Sequence, residues 1–177
     1  MSIHREENVD TNNFNIIQES LNQLAKIYKL PILVSTHPRT RKIIKEGKVK
    51  LHKLIQLHKP LNFTDYCKLQ IDAKTVLSDS GSITEESSIL NFPALNLREA
   101  HERPEGFEEG SVMMTGANID NILNGITILE NQISGGERVL NLVRDYSAPN
   151  LSEKIIRIIL SYTSYVDSNI WKKDTKI

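Results

Sequence analysis

Between Phe14 and Tyr28, apolar residues stand at Ile16, Ile17, Leu21, Leu24, Ala25, Ile27 and Tyr28. That recurrence is the signature of an amphipathic helix, and Asp10 to Asn13 ahead of it supply capping side chains. A short apolar run, Ile32-Leu33-Val34, follows. Pro31 opens it and Ser35-Thr36-His37-Pro38 closes it, which predicts a buried strand feeding a loop. The pattern then repeats. A basic helix is expected around Thr40 to Glu46, a strand at Leu54-Ile55-Gln56-Leu57, a helix from about Thr64 to Ala73, and a strand at Thr75-Val76-Leu77. Ser78-Asp79-Ser80-Gly81-Ser82 turns from that strand into a helix ending near Leu90, and Ala94-Leu95-Asn96-Leu97 is a strand again. The chain is polar from Arg98 through Glu109, then predicts a short strand at Val112-Met113-Met114, a helix from about Ile119 to Asn131, a Gly135-Gly136 break, and a long helix from Leu151 to Tyr165 running toward Trp171.

Strand and helix alternating at this interval predict an α/β fold: a Rossmann-like parallel sheet whose helical crossovers cover both faces. In such sheets function gathers at the C-terminal ends of the strands. Met1-Ser2-Ile3 reads as the last residues of a strand whose beginning is missing, leading directly into the polar run His4-Arg5-Glu6-Glu7-Asn8.

The 177 residues suit one ordinary core. Lys and Arg (22) balance Asp and Glu (22), so no global field draws the chain to nucleic acid or an anionic membrane. No apolar run approaches the ~20 residues of a membrane-spanning helix. The opening Met1 to Glu6 has no apolar leader segment, and a single cysteine, Cys67, excludes an internal disulfide framework; the expectation is a cytoplasmic chain. No His-x-x-x-His pair occurs, so no metal site is expected.

The strongest local signal is Ser78-Asp79-Ser80-Gly81-Ser82-Ile83-Thr84-Glu85-Glu86. A strand ending in hydroxyl and glycine residues that open a helix offers free N–H groups, hydroxyls and the positive end of a helix dipole to an anion. Glu86 lies one turn beyond Ser82 on the same face, where a carboxylate can accept hydrogen bonds from a ribose diol. The competing account is plain capping by Ser80 or Ser82, with Glu85 completing a capping box. A second charged loop, Arg98 to Glu105, sits at the expected end of the next strand: Arg103 suits a phosphate, and Glu102 a sugar hydroxyl or proton transfer. The competing account there is a solvated loop with local ion pairs. His4 and His37 follow two further strands and suit phosphate or proton transfer, or the surface. Phe63 and Tyr66 are candidates either for stacking on a base or for core packing. No G-x-x-x-x-G-K-[ST] or G-x-G-x-x-G motif occurs, which argues against a P-loop NTPase or a dinucleotide oxidoreductase.

Taken in order, His4-Arg5-Glu6-Glu7-Asn8, Ser78-Asp79-Ser80-Gly81-Ser82-Ile83-Thr84-Glu85-Glu86 and Glu102-Arg103-Pro104-Glu105 followed by Gly110-Ser111-Val112 resemble the C-terminal half of the non-hydrolysing UDP-N-acetylglucosamine 2-epimerases, over residues 1 to about 145. The stretch Ser87 to Arg98 is most similar to the branch that acts on UDP-2-acetamido-2,6-dideoxy sugars and forms UDP-N-acetylfucosamine. The resemblance implies the C-terminal half of a GT-B fold, with residues 1–150 as the UDP-binding Rossmann-like domain, its first strand truncated, and 151–177 as a helix that crosses back to a missing N-terminal domain. It also implies inversion at sugar carbon 2 through anti elimination of UDP to a 2-acetamidoglycal and its re-addition, with no dissociable cofactor.

Carried onto this chain, Ser80, Gly81 and Ser82 would hold the diphosphate, Glu86 the ribose, His4 the diphosphate near the leaving group, and Tyr66 would lie near the base. His4, Glu102 and Arg103 are the candidates for the chemistry; Arg5 and His37 match positions that bind an allosteric second UDP-sugar in some members. Ser82 departs from the second glycine of the family's Asp-Ser-Gly-Gly pattern. The family's acidic proton-transfer residues lie in the N-terminal domain, so the expectation is weak UDP binding without turnover, the partner half being a separate chain or deleted. Ile155, Ile156, Ile159, Tyr162 and Trp171 are then expected to meet the other domain or a second copy of this chain. The alternatives are the donor-binding domain of a GT-B UDP-sugar glycosyltransferase and a non-catalytic remnant.

Overall fold

The computed structural model describes residues 1–3, 12–36, 41, 44 and 50–173. Its strands are β1 (Ser2–Ile3), β2 (Ile32–Thr36), β3 (Ile55–His58), β4 (Val76–Ser78), β5 (Ala94–Asn96) and β6 (Met113–Met114). The helices are α1 (Asn12–Tyr28), α2 (Phe63–Asp72), α3 (Ile83–Leu90), α4 (Pro104–Glu108), α5 (Ile119–Leu129) and α6 (Leu151–Tyr165). All six strands run parallel in the order β3-β2-β1-β4-β5-β6. The chain winds outward from β1 through β2 to β3, then returns to the other side of β1 for β4 to β6. The sheet therefore reverses direction between β1 and β4, the place where open α/β sheets bind ligands.

The α/β reading holds. The apolar runs at 32–34, 76–77 and 94–95 are strands because crossover helices cover both faces of a parallel sheet, leaving no polar side for the pleat. One apolar cluster joins Leu21 and Leu24 of α1 and Ile122 and Ile126 of α5 to Val34, Leu77 and Leu95. A second gathers Ile83, Phe92, Ala94, Val76 and Val112, with Phe107 packed against it. The charged loop expected over 98–105 gives way at its end to α4: Pro104 stands in the helix's first turn, where a missing N–H costs nothing.

α3 is anchored at its far end. Asn91, in the left-handed region at φ 52°, turns the chain, and its buried amide bonds the carbonyls of Gly135 (3.0 Å) and Glu137 (2.6 Å). Arg138 adds bonds to the carbonyls of Ser88 and Ile89, both 2.6 Å, satisfying the last turn.

The chain divides into two units, Met1–Tyr146 and Ser147–Ile177. In the second, α6 runs into a wider turn of helix at Val166–Ile170, Tyr162 meets Tyr165 edge-on at 6.2 Å, and Lys173 lies over the Trp171 ring and bonds Asp167. No α6 side chain is buried.

Candidate functional site

Ser78 ends β4 beside Ser2 of β1, so the turn that follows stands at the reversal point of the sheet. The turn is built from its own hydroxyls. Ser78 Oγ accepts from the Ser80 N–H (3.1 Å), Ser80 Oγ accepts from the Ser82 N–H (3.3 Å), and the two hydroxyls of Ser80 and Ser82 lie 3.0 Å apart. Asp79 is fully buried beneath them.

Ser82 makes no side-chain cap for α3. Its hydroxyl instead donates forward one turn to Glu86 Oε1 at 2.7 Å, and Gln70, buried on α2, donates its amide to Glu86 Oε2. Both carboxylate oxygens are thereby oriented, each with acceptor capacity left. The capping-box account of Glu85 is overturned as well: its Oε1 accepts from Arg103 Nε across to the next loop.

Arg103 lies directly on Gly81. A Cβ built at Gly81 would meet the guanidinium, with Arg103 Cζ at 3.2 Å and Glu102 Oε2 at 3.5 Å. Only a residue without Cβ permits that contact. Gly106 serves the same end one helix away, where Thr84 of α3 occupies the space a side chain would need, so α4 rests on α3 and carries Arg103 over the turn. Glu102 is ion-paired to Arg98 at 2.9 Å and stands 3.7 Å from Arg103 Nη1. The loop read as solvated is thus partly tied down, with Arg98 only 9% exposed.

Tyr146 closes the back of this cluster by donating to Glu105 Oε1 at 2.8 Å. Burial and that bond raise the Tyr146 phenol above its usual range, while a bond from its own backbone N–H and the Tyr146 hydroxyl hold the Glu105 carboxyl below its usual value.

The structure therefore brings together Ser80, Gly81, Ser82, Glu86, Glu102 and Arg103, on β4–α3 and β5–α4. Gln70 belongs to the same cluster and carried no sequence signal beyond polarity, and Glu85, whose spacing suits a capping box, joins it through Arg103 instead. Gln70 Oε1, Glu85 Oε2 and Arg98 Nη1 are buried with no hydrogen-bond partner among the described residues, leaving hydrogen-bonding capacity unspent within the cluster. Tyr66 is half-buried on α2, one turn before Gln70. Phe63 is 80% exposed at the start of that helix, which overturns its core-packing account. His4, Arg5 and His37 lie outside the described residues. Among the described residues no group of three or more His, Cys, Asp or Glu is placed to hold a metal ion, and no helix is long and apolar enough to cross a membrane.

A parallel sheet in this order, with a hydroxyl- and glycine-bearing turn opening a helix at its reversal point, defines a Rossmann-like nucleotide-binding class of fold. The chain belongs to the UDP-N-acetylglucosamine 2-epimerase family, whose model matches residues 1–160. It is 33% identical to the UDP-N-acetylglucosamine 2-epimerase of Methanocaldococcus jannaschii over 174 residues, covering 93% of this chain and 44% of that protein. Among solved structures it is similar to the enzyme of that name from Rickettsia bellii (43% identity, TM-score 0.81, 97% of this chain and 47% of the other). It is also similar to the M. jannaschii enzyme in complex with UDP-GlcNAc and UDP (32%, TM-score 0.78, 90% and 44%). These neighbours are GT-B-type proteins, and the chain spans less than half the length of the relatives it matches.

Proposed function

We propose that this chain is the UDP-binding half of a nucleotide-sugar 2-epimerase, corresponding to the C-terminal domain of the two-domain fold. The observation that carries the reading is the network Ser80–Ser82–Glu86–Gln70 at the reversal point of the sheet, which orients a carboxylate one helical turn behind an anion-receiving turn. The diphosphate lies against Ser80, Gly81, Ser82 and the first N–H groups of α3, with Arg103 above it; Glu86 takes the ribose diol, and Tyr66 lies near the base. The described cluster holds Arg98 and Arg103 against Glu85, Glu86 and Glu102, so a dianion also needs His4, which follows directly on β1 and acts near the leaving group. Arg5 and His37 are the candidates for a second UDP-sugar.

The reaction is inversion at carbon 2 of a UDP-2-acetamido sugar by elimination and re-addition of UDP. This half retains the leaving group, Arg103 and the α3 N-terminus offsetting the charge that develops on its β-phosphate. The base for the carbon 2 proton belongs to the other half, so this chain alone binds UDP weakly and does not turn over. The sugar is a 2-acetamido-2,6-dideoxy hexose. α6, in residues 151–177, is the segment that meets the other domain.

Calorimetric titration of the full chain with UDP tests the reading, alongside proton NMR of a UDP-2-acetamido-2,6-dideoxy hexose, and of UDP-GlcNAc for comparison, in D2O with and without an added N-terminal half. Saturable UDP binding is expected, with carbon 2 deuterium exchange only when both halves are present. A folded chain that takes up no UDP overturns it.

A further inference from the structure

Three carboxylates, Glu85, Glu102 and Glu105, stand around the guanidiniums of Arg98 and Arg103. Arg98 takes Glu102 at 2.9 Å, and Arg103 takes Glu85 through Nε, with Glu102 3.7 Å from its Nη1. Glu105 is the third acid. It lies two residues beyond Arg103 in the first turn of α4, and a bond from its own backbone N–H, then the Tyr146 hydroxyl, then the Arg103 charge hold its carboxyl below the usual value. The arginine's charge thus reaches Glu105, yet among the described residues its ion pairs are with Glu85 and Glu102.

Tyr146 sets that separation. Its hydroxyl donates to Glu105 Oε1 at 2.8 Å, and burial together with this bond raises the phenol above its usual range, so the group stays a donor at neutral pH. The ring is delivered by backbone that is itself tied down. Tyr146 lies in a single tight helical turn, Arg144–Ser147; its N–H donates to the Val143 carbonyl (3.0 Å), and the N–H of the buried Val143 donates to Ser88 Oγ of α3 (3.0 Å). Gly106 leaves the opening, since a Cβ there would lie 3.4 Å from the Tyr146 hydroxyl oxygen as well as against Thr84. On the other side Pro104 keeps the preceding residue out of helical backbone, and Arg103 stands at φ −135°, ψ 73°. The phenol therefore meets Glu105, while the Arg103 side chain extends to Glu85 and the Gly81 turn.

We propose that Tyr146 is a positioning residue for Arg103: by engaging the Glu105 carboxylate it keeps that acid off the guanidinium, which stays over the Gly81 turn with its charge available to the diphosphate. The identity of the anion rests on the UDP-binding reading; the arrangement of the three side chains does not. Without the hydroxyl, Glu105 loses a donor, and the guanidinium two residues away is the charge-assisted replacement at hand. Shared among three carboxylates, Arg103 attracts a phosphate less.

The test compares Tyr146→Phe, Glu105→Gln and the double variant in the full chain, isotopically labelled for NMR, with near-UV circular dichroism as the check on folding. Tyr146→Phe should weaken UDP at least about fivefold in calorimetry and leave uridine affinity unchanged. Glu105→Gln should bind UDP at least as tightly as the native chain. In that background, where the competing acid is gone, Tyr146→Phe should cost less than about twofold. Without nucleotide, the Arg103 Nε–H resonance should shift in Tyr146→Phe and return toward its native position in the double variant. Equal losses for UDP and uridine, or a loss that persists beside Glu105→Gln, identify plain packing by the ring and overturn the proposal. Weaker UDP binding by Glu105→Gln, or an Arg103 resonance that Tyr146→Phe leaves in place, overturns it too. A native chain that binds no UDP overturns the UDP-binding reading instead, and the resonance still decides whether Tyr146 positions Arg103.

Discussion

Replacing Glu86 by alanine separates ribose recognition from anion recognition within one site. The carboxylate is positioned by Ser82 at 2.7 Å and by Gln70, and neither oxygen is saturated by those two donors. A hydrogen bond to a charged acceptor contributes about 1.5–3 kcal/mol net, which corresponds to about 10- to 150-fold in affinity. Glu86 is half-buried rather than sealed, so solvent competes and the loss for UDP should fall near the lower end, about tenfold. On the proposed reading the ribose acts through this residue and the diphosphate does not. Calorimetry on the E86A variant should therefore show comparable losses for UDP and uridine and no change for pyrophosphate. E86Q retains one carbonyl acceptor, so one of the two donors, Gln70 or Ser82, keeps the partner it has now, and the variant should recover part of the loss; near-UV circular dichroism checks that both variants keep their tertiary packing. Equal losses for UDP and pyrophosphate, or undiminished UDP affinity in a folded E86A chain, would refute the reasoning.

Gly81→Ala forces the Arg103 guanidinium off the turn, and because the displaced group is the end of a flexible side chain the melting temperature should hold while UDP affinity falls severalfold in calorimetry. Asn91→Ala adds about 1–2 kcal/mol of left-handed backbone strain to about 1–3 kcal/mol from the lost bonds to Gly135 and Glu137, whereas Asn91→Gly incurs only the second; urea denaturation should rank native, then glycine, then alanine.

The parallel sheet was legible because β2, β4, β5 and β6 are each built on a short apolar run between turn residues, a pattern that suits a doubly covered sheet. Ser78 to Glu86 was legible for a similar reason: strand end, turn and first helical turn are contiguous, so local spacing carries the geometry. What escaped the sequence is contact between elements. Gln70 meets Glu86 across 16 positions, Arg103 meets Glu85 across 18, and Tyr146 meets Glu105 across 41. No periodicity encodes such distances; they depend on α2, α3 and α4 converging on one edge of the sheet. Glu85 shows the competition directly. Its spacing suits a capping box, yet a guanidinium delivered by α4 offers a charge-assisted bond, and that partner wins.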